Sequence, residues 1–376
     1  MAAPLARRNL THDRTRLAVT LAGIVFAIVL ITVQLGLFIG FTKTTSGVID
    51  HAGVDLWITA PGAPNFDAAP PIPERKIHGV RSVPGVASAE PLIVQFTRWR
   101  RPDGQGETVE IVGFDVDQPM GRPWAVVAGR IEDLKLPDTI MVDELYLGKL
   151  GVERLGQTVE INERRARVVG FTRGIRSFTT SPYVFTSLAN ARRYAQNLRD
   201  SETIYVVARV APGADVDEVK QRLIARVTDV DVLTTAEFAF RTQYYWMFTT
   251  GAGMAVLLAA VLGLVVGVVI VAQTIYATTM DRIREYGTLK AMGASNGFVT
   301  RVILTQAGLS GTVGYALGMA VSLVPVTLSE YGQAAIRLPW PLAAFMLVLT
   351  LAMCAAASLT SIRKALSVDP ATVFRS

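Results

Sequence analysis

Residues 242–280 read TQYYWMFTTGAGMAVLLAAVLGLVVGVVIVAQTIYATTM, an unbroken stretch without a charged side chain. A helix needs about 20 apolar residues to cross the hydrocarbon core of a bilayer, so this stretch can span it and continue at one or both ends. Outward from it, three more uncharged stretches meet the same criterion: 17–42, 302–329 and 338–362. Between the first and second lies 43–241, an insert of ordinary mixed composition. The expected fold class is an α-helical membrane protein with four transmembrane helices and a large extracytoplasmic mixed α+β domain inserted between helices 1 and 2.

Charge sets the direction of the spans. The net charge of +6 invites a nucleic-acid reading, but its distribution argues against one. Residues 1–16 carry +3, residues 281–301 carry +2 and the tail from Arg363 carries +2, while the insert carries −1. Cytoplasmic loops are enriched in Lys and Arg, so both termini and the 281–301 loop are expected on the cytoplasmic side. Tyr244, Tyr245, Trp246, Tyr331 and Trp340 lie near the expected borders, where amphipathic rings favour the interface. The expected organisation is a basic segment 1–16, helix 17–42, extracytoplasmic domain 43–241, helix 242–280 with extensions, cytoplasmic segment 281–298, helix 299–328, external loop 329–337, helix 338–362 and cytoplasmic tail 363–376. The first apolar run, Leu17–Phe41, is about twice the length of a signal-peptide core and no small-residue cleavage site follows, so an uncleaved anchor is expected.

The four uncharged stretches hold no Asp, Glu, Lys, Arg or His, which argues against an ion-driven transporter. Three GxxxG pairs occur within the spans, Gly36–Gly40, Gly263–Gly267 and Gly314–Gly318. They predict close helix packing, within the subunit or across a dimer. The lone Cys354 excludes an internal disulfide and a Cys-based zinc site.

The insert reads as two α+β subdomains. Strands are expected at Val54–Thr59, Ile93–Arg98, Thr108–Phe114 and Ile204–Val210, with a hairpin over Thr158–Asn162 and Arg165–Phe171. Helices are expected at Val142–Leu150, Leu188–Leu198 and Asp215–Thr228, and residues 60–73, with five prolines, as an irregular excursion. No catalytic or metal-binding constellation emerges. His12, His51 and His78 have no ligand partner at helical spacing, and the plentiful carboxylates of the insert read as surface charge. No GxxxxGK[ST] loop occurs, so ATP hydrolysis by the usual phosphate-loop route is not expected in this chain.

The most informative polar stretch is Asp281-Arg-Ile-Arg-Glu-Tyr-Gly-Thr-Leu-Lys-Ala-Met-Gly-Ala-Ser295. It predicts a short helix stopped by Gly293 in the left-handed region, with Ser295 capping the next span. Ile283, Tyr286, Leu289 and Gly293 make one apolar stripe, and Glu285 and Lys290 lie off it. Such a helix suits a groove on a partner protein; a helix lying flat on the inner leaflet is the alternative.

The run Arg284–Ala294 resembles the coupling segment of the MacB/FtsX-type ABC transporter permease family. The Glu-Tyr-Gly-Thr-Leu-Lys-Ala-Met-Gly version, with Tyr244-Tyr-Trp246 before span two, is most similar to the DevC-type branch. The segment Ala6-Arg-Arg-Asn-Leu10 is similar to the basic stretch ahead of the family's first span. The tail Arg363–Arg375, with Asp369 as helix cap and Pro370 at the first helical position, resembles its closing motif. The resemblance implies a homodimer on two copies of a cytoplasmic ABC ATPase, which would bind ATP and Mg, with no cofactor in this chain. It assigns ATPase coupling to Arg284, Glu285, Gly287, Leu289, Lys290, Met292, Gly293 and Ala294. It implies mechanotransmission: closure of the ATPases moves the outer domain, which exports or extracts a lipophilic or peptide-like substrate. Membrane lipids, a periplasmic adaptor and an outer-membrane channel are the further partners it suggests. A non-transporting transmitter controlling a cell-wall hydrolase and a membrane receptor for an extracellular ligand remain as alternatives.

Overall fold

The computed structural model describes residues 14–179, 181–281 and 283–366. Four of its helices are long and apolar enough to cross a membrane: Leu17–Thr45, Ala252–Asp281, Asn296–Ser329 and Trp340–Arg363. The chain divides into two compact units, one holding these spans and one formed by residues 41–253 with 331–334.

In the helical unit, α1 (Arg14–Thr45) is the centre of packing. Ile24, Ala27, Ile28 and Ile31 are buried in one cluster with Val271, Ile275, Met346 and Cys354. All three glycine pairs are used inside the chain. Gly263 and Gly267 let the second span approach Gln34, Leu30 and Ile31, and Gly314 and Gly318 seat the third span on Ile24 and Ile28. Gly36 and Gly40 lie against the backbone of 335–337, where Arg337 donates its amide to the Gly36 carbonyl at 3.0 Å. Removing side chains from these faces allows backbone approach where apolar burial gives no drive inside lipid.

The inserted unit is built on one ten-stranded mixed sheet. In chain order it comprises α2 (Gly47–His51), β1 (Leu56–Thr59), β2 (Ile72–Pro73), α3 (Lys76–Arg81), β3 (Val86–Arg100), β4 (Gly106–Phe114), β5 (Val126–Ala128), β6 (Thr139–Asp143), α4 (Leu147–Leu150), β7 (Thr158–Ile161), β8 (Arg164–Thr172), β9 (Tyr183–Ser187), α5 (Leu188–Tyr194), β10 (Glu202–Thr203), β11 (Tyr205–Val210), α6 (Val216–Arg226), β12 (Asp231–Thr234) and α7 (Thr235–Tyr244). The strand order is β12-β1-β11-β3-β4-β9-β6-β8-β5, with β7 pairing β3 and β8, and β2 and β10 form a separate ribbon. The long strand β3 joins the two halves, pairing β11 over Val86–Leu92 and β4 over Ile93–Arg100. Two hydrophobic cores pack on this one sheet. One lies under α3 and α6, with Val80, Val206, Val219 and Leu223, and the larger holds Trp57, Trp99, Ile111 and Phe185.

Local chemistry accounts for several boundaries. Asp215 caps α6 by accepting from the amides of Asp217 and Glu218, and Thr234 with Glu237 forms a capping box at the start of α7. Asn162 and Glu163, both at positive φ, turn the β7–β8 hairpin.

Three expectations differ from what is found. The helix expected over Val142–Leu150 begins as strand, because Ile140–Val142 pair β8 and β9 and are buried. Asp143 then accepts from the Leu145 amide and starts a 3-10 turn, leaving only Leu147–Leu150 as α4. The helix expected over Leu188–Leu198 stops at Tyr194, since Ala195 is extended and Asn197 left-handed. The continuous run expected over 242–280 is divided: α7 ends at Tyr244, a π-helical turn covers Tyr245–Thr249, and Gly251 (φ +75°) breaks the chain before α8 (Ala252–Asp281).

Candidate functional site

After α8 the chain forms α9 (Ile283–Ala291), which precedes α10 (Asn296–Ser329) and α11 (Trp340–Leu366). Its end is a two-bond stop: the Gly293 amide donates to the Lys290 carbonyl and the Ala294 amide to the Leu289 carbonyl, both at 3.0 Å. That pattern needs a left-handed residue, and Gly293 supplies it at φ +89°. Two residues on, the Ser295 side chain accepts from the Phe298 amide and caps α10.

Side-chain contacts hold this elbow to its neighbours. Tyr286 is buried against Val299, Val302, Ile303 and Ile362, and its hydroxyl donates to Gln306 Oε1 at 2.9 Å. Gly287 is also buried, while Leu289 is half-buried beside the same cluster. Lys290 Nζ donates to the Leu366 carbonyl at 2.8 Å. The opposite face is open: Arg284, Glu285, Thr288, Ala291, Met292 and Gly293 are exposed, Met292 to 71%. The eight residues singled out from the sequence therefore divide into an outward set and a set facing the other helices. Asp369 and Pro370, and the segment Ala6–Leu10, lie outside the described residues.

A second constellation, in the inserted unit, was not singled out from the sequence. Trp246, on the π-helical turn, donates Nε1 to Asp67 Oδ2 at 2.7 Å. Its ring meets Phe178 edge-on at 4.9 Å, and Phe178 in turn meets Phe41 at 4.1 Å. Where the chain enters this unit and where it leaves it are thus linked through one aromatic pair of contacts. Asp67 belongs to the proline-rich excursion, whose Phe66 packs on Trp57, Tyr205 and Phe238. Beside Asp67 lies Glu110 of β4, fully buried. Burial first, then the charge of Asp67, pushes the Glu110 carboxyl well above the ordinary carboxylate range. Burial also raises Asp67, against the hydrogen bond from Trp246.

No group of three or more His, Cys, Asp or Glu is placed to hold a metal among the described residues. A cleft of about 720 Å³ lies where β3 changes partners, beside Arg75, His78, Glu90 and Asp115.

Residues 17–226 match the family model described as the MacB-like periplasmic core domain, and 257–370 that of the FtsX-like permease C-terminal region. The chain belongs to the MacB/FtsX-type family of ABC transporter permeases. An ABC transporter permease of Mycobacterium tuberculosis is 25% identical to this permease over 98% of each chain. The macrolide export ATP-binding/permease protein MacB of Azoarcus sp. is 25% identical, over 85% of this chain and 50% of that one. The crystal structure of the periplasmic region of MacB from Actinobacillus actinomycetemcomitans overlays 49% of this permease and 90% of that chain, at 11% identity and a TM-score of 0.39. In this MacB/FtsX-type permease, the elbow 281–298 and the start of the FtsX-like region at 257 belong to the same helical unit.

Proposed function

We propose that this permease is the transmembrane part of a mechanotransmission machine, powered by two copies of a cytoplasmic ABC ATPase that bind ATP and Mg. Two permease copies assemble in a bacterial inner membrane with both termini in the cytoplasm. ATPase closure pushes on α9, and span two carries the displacement to the inserted domain. That domain exports or extracts a lipophilic or peptide-like substrate, with an adaptor and an outer-membrane channel where a second membrane exists.

The observation that carries this reading is the form of the α9 elbow. An exposed strip with Glu285 and Met292 sits on a helix fastened by Tyr286, Lys290 and the Gly293 stop. A load on such a strip moves the attached helices instead of bending the loop. The uncharged spans offer no polar conduit, which favours transmission of motion over passage through the subunit.

The test is co-purification of the chain with its ATPase in lipid, followed by ATP hydrolysis. A Glu285→Ala/Met292→Ser variant is expected to lose co-elution and permease-dependent stimulation while staying folded. Unchanged association and hydrolysis in that variant would remove the elbow from the coupling path.

A further inference from the structure

We propose that Asp67 and Glu110 form a proton-binding site, and that its occupancy decides whether Trp246 stays fastened to the inserted domain. The two carboxyl groups come from different segments of the inserted unit. Glu110 lies in the middle of β4, paired on one side with Phe96 of β3 and on the other with Tyr183 of β9. Asp67 sits on the irregular excursion 60–73, anchored by the Asn65 side chain, which accepts from the amides of Asp67 and Ala68.

Neither carboxylate oxygen of Glu110 meets a donor among the described residues. The groups that act on the two acids are each other, the Trp246 indole and tyrosine hydroxyls. Tyr183 of β9 donates to Asp67 Oδ1 at 3.4 Å, and Tyr205 of β11 feels both acids while donating to the Phe66 carbonyl. Tyr146, from the turn after β6, faces Tyr183. No Lys, Arg or His is among these groups. A buried charge without a cation or a donor is costly, and two adjacent buried carboxylates cannot both ionise cheaply.

A single proton resolves the conflict. On Glu110 it makes that carboxyl a donor towards Asp67, and Asp67 keeps its charge for the Trp246 indole and the Tyr183 hydroxyl. When the proton leaves to solvent, a second negative charge appears in the same interior. The repulsion falls on Asp67, and any displacement of its carboxylate removes the acceptor of Trp246. The released tryptophan lies on a π-helical turn, a rare local form that recurs at functional positions. Acid therefore fastens the segment ahead of α8 and base releases it.

The experiment is fluorine NMR of the full-length chain in detergent, with all five tryptophans replaced by fluorotryptophan. Trp246→Phe assigns the resonance. Its position is followed from about pH 5 to about pH 9, a window that lies above the ordinary carboxylate range. The expected result is one protonation step in the Trp246 resonance. That step disappears in Glu110→Gln and in Asp67→Asn alike, since either change removes the repulsion between the two acids, with the other four resonances unchanged. A Trp246 resonance that is flat across the window, or that titrates equally in Glu110→Gln, overturns the proposal. No ATPase is present, so the outcome is independent of the coupling reading.

Discussion

Lys290 donates from its ammonium to the carbonyl of Leu366 at 2.8 Å, which fastens the short helix between spans two and three to the end of span four. With the Tyr286–Gln306 hydrogen bond, this gives α9 attachments to both helices that follow it. Its buried and exposed faces should therefore respond differently to substitution.

Tyr286→Ala is expected to cost about 3–5 kcal/mol, the range for truncating a buried large aromatic. It also leaves Gln306, whose Nε2 already has no partner among the described residues, with neither end satisfied there. Thermal unfolding in detergent should show a clear loss of melting temperature. Met292→Ser should leave it unchanged, because that side chain stands in the open. Equal losses in both variants would mean that the two faces are not distinct.

The membrane glycines should separate by what their added methyl meets. Gly40→Ala would drive a methyl into the Ala335 carbonyl oxygen, a backbone atom that cannot step aside. Overpacking of this kind costs about 1–3 kcal/mol or more. At Gly263 the first obstacle is Gln34 Cγ at 3.3 Å, part of a flexible side chain. Gly263→Ala should be near neutral in the same unfolding assay, and a reversed order would contradict the packing of α1.

Stability should fall as pH rises through the folded-state value of Glu110. The carboxyl is raised above its ordinary value of 4.5, so the folded state binds the proton more tightly than the unfolded state. Its contribution is complete below the unfolded value and is lost as pH climbs through the raised one. Asp67 is shifted in the same direction. Melting temperatures across pH should slope downward in this window for the wild type and flatten in Glu110→Gln.

The β7–β8 turn offers a stabilising change. Glu163 is held at φ +61°, where a side chain crowds its own backbone. Glu163→Gly should gain about 1 kcal/mol, the low end of what a left-handed residue costs. Asn162 is better left in place, since its side chain accepts from Gln196. A loss of melting temperature in Glu163→Gly would show that the side chain contributes more than the strain it carries.

Much of the molecule was legible in the amino-acid order because the signals were local or thermodynamically strong. The four spans follow from long uncharged runs, and Gly293 and Ser295 announce their roles through backbone preferences that need no distant partner. The β7–β8 hairpin belongs to the same class. The break at Gly251 was hidden because apolar composition continues across it, and hydropathy does not report backbone direction. Residues 142–150 misled for the opposite reason: β6 is strand only because β8 and β9, distant in sequence, pair with it.

Sequence alone determined that the chain has four spans and a large insert, and where the short helix after span two ends. Charge in hydrocarbon is prohibitive, and left-handed or capping positions select a few residue types wherever they occur. Only the tertiary structure decided that the glycine pairs serve contacts inside the chain, and that Lys290 faces span four instead of the open side. It alone turned Glu110 from an apparent surface charge into a buried acid. Those outcomes depend on which segments, far apart in the chain, come to share a few ångströms of space.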